Sequence, residues 1–198
     1  MSAAATGLKQ TLSMTLQSAR SALPPIIVTA HVPPDDMDYF DRLRREHFPP
    51  ERNYLKAHIT IFHHLPGRVL EEAMALAAES VNQRQSFNAW ISGIRHLGAG
   101  VAFDIESPEL QELRADLFQR FGSWPGPQDR QKFKPHITVQ NKVSRAGADR
   151  LYAELRSDFQ PRHITVSGLD LWSYLGGPWE HKAFLPLRKK FETVNVKS

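Results

Sequence analysis

One phrase occurs twice in the chain, as Lys56-Ala57-His58-Ile59-Thr60 and as Lys134-Pro135-His136-Ile137-Thr138. The pattern around it repeats as well. In the first half, a β-branched run at 26–30 reads as a buried strand. A helix with an acidic first turn (Asp35, Asp36) runs to about His47, and the first phrase forms a second strand closed by Pro66-Gly67. Apolar residues at helical spacing predict a helix over about 68–83, and 87–97 reads as a third strand. The second half follows the same plan. It has a strand at 101–105, then a helix capped by Ser107 with Pro108 at its first position and stopped by Gly122. The second phrase, a helix capped by Ser144, and strands at about 162–174 and 180–187 complete it. The order is βαβαβ twice, plus one final strand.

A second echo supports duplication. Ile91-Ser92-Gly93-Ile94 resembles Val166-Ser167-Gly168-Leu169, at an offset of 75 positions against 78 for the two histidines. A third His-Ile-Thr, at 163–165, tests the pairing. By the repeat offset, His163 aligns with Asn88 rather than with His58, and Pro161 stands where the other copies have lysine. It is therefore set aside, as an exposed strand histidine.

Composition narrows the chemistry. The chain has no cysteine, so disulfides, thiolate nucleophiles and cysteine-bound zinc are excluded. That is compatible with a cytoplasmic protein. The net charge of +4 is interspersed and suits an anionic ligand, with no polybasic arm. No apolar run reaches the ~20 residues of a membrane span. Residues 1–24 read as a weakly helical extension and 189–198 as a loose tail. The acidic Asp36 and Asp38 fit a helix N-terminus better than a metal site.

In a strand, residues i and i+2 share a face, so lysine, histidine and threonine of each phrase point one way and isoleucine the other. Two imidazoles titrating near ~6.5 can serve as one base and one acid at neutral pH. Thr60 and Thr138 can donate to non-bridging phosphate oxygens, and Lys56 and Lys134 can offset developing charge. That suffices for phosphodiester chemistry without a metal or other cofactor. Which histidine is the base stays open.

The pair of His-x-Thr motifs, the first ending in Leu65-Pro66-Gly67 and the second preceded by Phe133-Lys134-Pro135, resembles the two-histidine phosphoesterase superfamily. Within it the chain is most similar to the 2′-5′ RNA ligase-like branch, over roughly residues 25–188. The resemblance implies a bilobal, pseudo-twofold α+β fold. Mostly antiparallel sheets would have helices outside and a central cleft, with lobes of about 25–98 and 99–188. It also implies a metal-independent phosphodiesterase acting on 2′,3′-cyclic phosphates or 2′-5′-linked RNA ends, with reversible 2′-5′ joining in some members. His58, Thr60, His136 and Thr138 match its motifs, and Lys134 matches a basic position before the second. The substrates would be RNA termini or small nucleotides, with no membrane and no obligate protein partner. The alternative is a non-catalytic RNA- or nucleotide-binding module with the same cleft. A Ser/His esterase is disfavoured because no Gly-x-Ser-x-Gly elbow is present.

Recognition residues follow from parity and placement. Phe62 shares the parity of His58 and Thr60 and is a candidate for base stacking, as are Trp124, Trp172 and Tyr174. Arg130 and Lys132, ahead of the second motif, are candidates for a second phosphate. His63 and His64 extend the first motif and could bind a phosphate or a second substrate group, though a solvent-facing strand end accounts for them better. With His58 they resemble a metal cluster, but no acidic residue interleaves, and no metal is expected.

Overall fold

A computed structural model describes residues 23–189, so the expected helical extension through residue 22 and the tail from 190 lie outside the described residues. The strands are β1 (Ile26–His31), β2 (Ile59–Leu65), β3 (Phe87–His96), β4 (Val101–Glu106), β5 (His136–Gln140), β6 (Arg162–Val166), β7 (Gly168–Tyr174) and β8 (Trp179–Pro186). The helices are α1 (Pro34–His47), α2 (Leu70–Val81), α3 (Pro108–Phe121) and α4 (Arg145–Ser157). The expected caps are in place. Ser107 Oγ accepts from Leu110 N at 3.1 Å, and Ser144 Oγ accepts from Gly147 N at 3.2 Å. Gly122 ends α3 with φ of 56°, a conformation that glycine adopts without steric cost.

All eight strands form one antiparallel, curled sheet in the order β6-β3-β4-β5-β2-β1-β7-β8. Its two four-stranded halves meet where β2 and β5 pair, through Ile59 opposite Ile137. The fold is therefore α+β with a twofold-like strand order, and the two motifs lie on the two central strands.

The halves of the sheet are not the halves of the chain. β3 leaves β1 and β2 to pair with β4 and β6, while β7 and β8 return to β1. The helices cross too: α1 packs against β5 and β6, and α2 packs against α3, β7 and β8. The repeats at 25–98 and 99–188 are thus interleaved in space. Residues 162–174, expected as one strand, are two. Ser167 breaks the run because its N–H donates to His31 O and its carbonyl accepts from Leu187, both at 2.9 Å. The sheet curls enough for this one residue to pass from its edge strand β6 to β7 near the opposite end. At Gly168 a Cβ would lie 2.5 Å from Leu185 O, so the close approach of β8 requires glycine.

Edge strand β6 is partly satisfied by α1. Asp36, in the first turn, accepts from Thr165 N at 2.7 Å, so this acidic residue supports the fold as well as the helix dipole.

Candidate active site

Ile59 and Ile137 are fully buried against the helices. Alternation then turns His58, Thr60, His136 and Thr138 to the open face, where all four are half-buried. Because Ile59 faces Ile137, the antiparallel register sets Thr60 across from His136 and His58 across from Thr138. The two histidines lie on the diagonal, where side-chain origins in a ladder are typically about 7–8 Å apart.

Both rings are held in the same way. His58 Nδ1 bonds the carbonyl of Lys56 at 2.8 Å, and His136 Nδ1 bonds that of Lys134 at 2.9 Å. A carbonyl only accepts, so each Nδ1 carries the proton and each Nε2 is the nitrogen that exchanges one. The repeated lysines thus contribute their carbonyls, while both side chains are exposed. Burial pushes the His58 imidazole down to about 4. The Lys56 carbonyl opposes this, and Arg44, His136 and His63 reinforce it. Burial also lowers His136. There the Lys134 carbonyl and Asp104 oppose the shift, while Arg95 and His63 add to it. Both rings are therefore neutral at pH 7, in surroundings where an anion would favour their charged forms.

Beside His136 opens a cavity of about 220 Å³, with Thr60, His63, Arg95, Lys132 and Lys134 also on its wall. His63 reaches it because β2 is irregular. Val28 pairs with Phe62 and Thr29 with Thr60, so Ile61 is an extra residue. Parity slips there, and Ile61 and Phe62 are both buried in succession. Phe62 is consequently not on the open face. It packs on Phe121 with centroids 5.1 Å apart, under the Arg114 guanidinium. His63 takes the open side instead. Its Nδ1 donates to Asp129 Oδ1 at 2.9 Å, and its backbone N–H bonds the same oxygen at 2.9 Å. Burial pushes Asp129 up, but the bonds from His63 and His64 outweigh it and hold the carboxyl below its usual range.

The other expected residues separate. Arg130 is exposed and donates to Ser123 O, and it lines a different pocket from the one beside His136. Trp124 is a packing residue stacked on Phe121. Trp172 lies on the open face, where its Nε1 donates to Thr29 Oγ1 at 2.9 Å. Tyr174 is exposed at the end of β7. His163 is exposed on edge strand β6 against Trp90, three strands from β5. His64 is exposed, and among the described residues no group of three His, Asp or Glu side chains is placed to hold a metal ion.

Sequence reading missed Asp129 and five other contributors. Trp179, just beyond the Gly-Gly-Pro turn, packs its ring 4.7 Å from that of His58. Arg95 and Asp104 form an ion pair next to His136. Two buried arginines grip the motif strands from behind. Arg44 on α1 donates to Leu55 O at 3.0 Å and to Thr138 O at 2.8 Å. Arg114 on α3 donates to Ile61 O at 3.0 Å and to Asp129 O. Each arginine thus ties the loop before one motif to the strand of the other. The available signal was weak: an arginine in the first helix of each repeat.

Among the described residues no helix is long and apolar enough to cross a membrane. No curated protein matches the chain. Among solved structures it is similar to E. coli LigT complexed with 3′-AMP, at 18% identity and TM-score 0.57 over 84% of this chain and 99% of that one. TT0787 of Thermus thermophilus aligns at 16% identity and TM-score 0.59, over the same shares of the two chains. At such identities the likeness is one of fold. The sequence itself matches the family model of the 2′-5′ RNA ligase superfamily over residues 32–178. The chain belongs to the 2′-5′ RNA ligase superfamily, the branch of two-histidine phosphoesterases that its paired motifs resemble.

Proposed function

We propose that the protein is a phosphodiesterase of 2′,3′-cyclic phosphates or 2′-5′-linked nucleotides and RNA ends, with His58 and His136 as its acid–base pair. One observation carries this reading: two imidazoles on adjoining strands, each held through Nδ1 by a carbonyl and each across from the threonine of the other motif. One Nε2 takes a proton from water as the water oxygen attacks phosphorus. The bond from phosphorus to the ribose 3′ oxygen breaks, and the other Nε2–H gives its proton to that oxygen, leaving a 2′-phosphate. Thr60 and Thr138 donate to the non-bridging oxygens, and Lys134 at the cavity wall offsets their charge. The same steps with the 5′-hydroxyl of a second ribonucleotide in place of water give 2′-5′ joining, and their reversal cleaves that linkage. E. coli LigT complexed with 3′-AMP, NADP+ or ATP supports nucleotides as ligands of this fold.

The test is turnover of a 2′,3′-cyclic nucleotide without added metal. His58→Ala and His136→Ala are each expected to lose ~10²–10⁴ of the rate, the usual worth of one acid or base. His163→Ala should retain it. Inactivation by His163→Ala alone would refute the pairing. Equal RNA affinity in the wild type and the double-histidine variant, with turnover by neither, would identify a binding module instead.

A further inference from the structure

Asp129 is 4% exposed, yet among the described residues its carboxylate has no arginine or lysine side-chain partner; it receives His63 Nδ1 and the backbone N–H groups of His63 and His64. Its carbonyl is fastened from behind by Arg114. A buried carboxylate, a bulged strand and a buried arginine therefore all fix one half-exposed imidazole at the wall of the cavity beside His136. Because Nδ1–H is committed to Asp129, Nε2 is the nitrogen left to contact a ligand. The other polar side chains around the cavity are cationic or neutral, apart from Asp129 itself, and the nearby Asp104 is paired with Arg95. Such a space suits an anion.

The acid–base pair does not account for His63. Along β2 it lies about 7–10 Å from Thr60, three residues of strand shortened by the bulge. That is one ribose away from the reacting phosphate. A 2′,3′-cyclic phosphate already occupies two ribose oxygens, so the only remaining point on that ribose for a second phosphate is the 5′ oxygen. We propose that the end of the cavity lined by His63 and Lys132 is a second phosphate site, in which His63, oriented by Asp129 and assisted by Lys132, binds the phosphate on the 5′ side of the reacting nucleotide. This rests on the phosphodiesterase reading above and extends it to substrate choice. The protein would select nucleotides that continue, or end in phosphate, on the 5′ side over cyclic mononucleosides with a 5′ hydroxyl.

The test compares kcat/KM on adenosine 2′,3′-cyclic phosphate, its 5′-phosphorylated form, and a dinucleotide ending in the cyclic phosphate. The last two arms separate a terminal 5′ phosphate from a bridging one. The readout is the ratio of each to the first substrate, which a purely structural role of His63 would leave alone. Wild type should prefer a 5′ phosphate, and His63→Gln should cut that preference about tenfold, as for a lost hydrogen bond to a charged group. Lys132→Ala, at an exposed loop position where folding is not at risk, should cut it about threefold. No wild-type preference in either arm, or a ratio unchanged in both variants, overturns the inference. If wild type turns over none of the three, the phosphodiesterase reading fails by itself. The site is then judged by binding of adenosine 5′-monophosphate relative to adenosine. His63→Gln weakens that difference if the site exists and leaves it intact if it does not.

Discussion

The two motif histidines are equivalent in sequence but not in surroundings. His58 is pushed down to about 4 by burial, whereas His136 is lowered with Asp104 partly restoring it. Acid–base catalysis needs one proton on the pair, so the competent form lies between the two titrations whichever ring is the base. In the free protein that window has a lower edge near 4 and an upper edge below the ordinary ~6.5 of histidine. kcat/KM for a cyclic nucleotide should therefore peak in mildly acidic solution and fall toward pH 8. The bound phosphate favours both imidazolium forms, so the kcat profile should sit at higher pH than that of kcat/KM. A kcat/KM that rises steadily through pH 8 would show that the two rings do not share the proton. Stability runs in a definite direction over the same range. Between about 4 and 6.5 the unfolded chain binds a proton at residue 58 that the folded chain refuses, so stability drops as the pH is lowered through that window. Replacing His58 should flatten that slope in thermal melts.

Secondary structure was legible where its cause is local. Ser107 and Ser144 cap their helices, Gly122 stops one, and isoleucine alternates with histidine and threonine through both motifs. It failed where the cause is a neighbour. Alternation alone puts Phe62 beside Thr60, and only pairing with β1 introduces the extra residue that buries it and turns out His63. Arg44 and Arg114 were likewise hidden, because an arginine on a helix face reads as solvated until its carbonyl partners are known. Each bonds carbonyls on separate segments through a planar fork that lysine cannot reproduce. Arg44→Met or Arg114→Met should cost about 2–4 kcal/mol in denaturant unfolding, since buried carbonyls left without donors cost ~1–3 kcal/mol each. Activity should fall in both, because the loop before one motif and the strand of the other lose their shared tether. Losses below ~1 kcal/mol would mean that water replaces the guanidinium at these carbonyls.

At the scale of the whole chain, the repeat was legible and its interleaving was not. Two offsets, 78 for the histidines and 75 for the Ser-Gly echo, disclose a duplicated plan, but sequence similarity says nothing about which copy of a strand pairs with which. In the fold the echo is structural: Gly93 stands opposite Asp104 on β4, and Gly168 stands opposite His31 on β1. Each repeat thus lends its third strand to the sheet half built on the other, and Arg44 and Arg114 extend the exchange to the helices. A chain cut between residues 98 and 99 leaves β3 without β4 and β6, and β1 without β7. The core residues of the first repeat, such as Ile91 and Phe40, would then face water, since their partners (Ile105 across the ladder, Phe103 against the ring) belong to the second. Fragments 25–98 and 99–188 should each be largely unfolded by circular dichroism, while the intact chain should unfold in one transition with coincident probes. A mixture of the two fragments should regain strand signal and, if the proposed chemistry is right, some turnover, because His58 and His136 arrive on different pieces. Either fragment folding alone with a cooperative melt would show that the repeats are independent domains and that the exchange is incidental to stability.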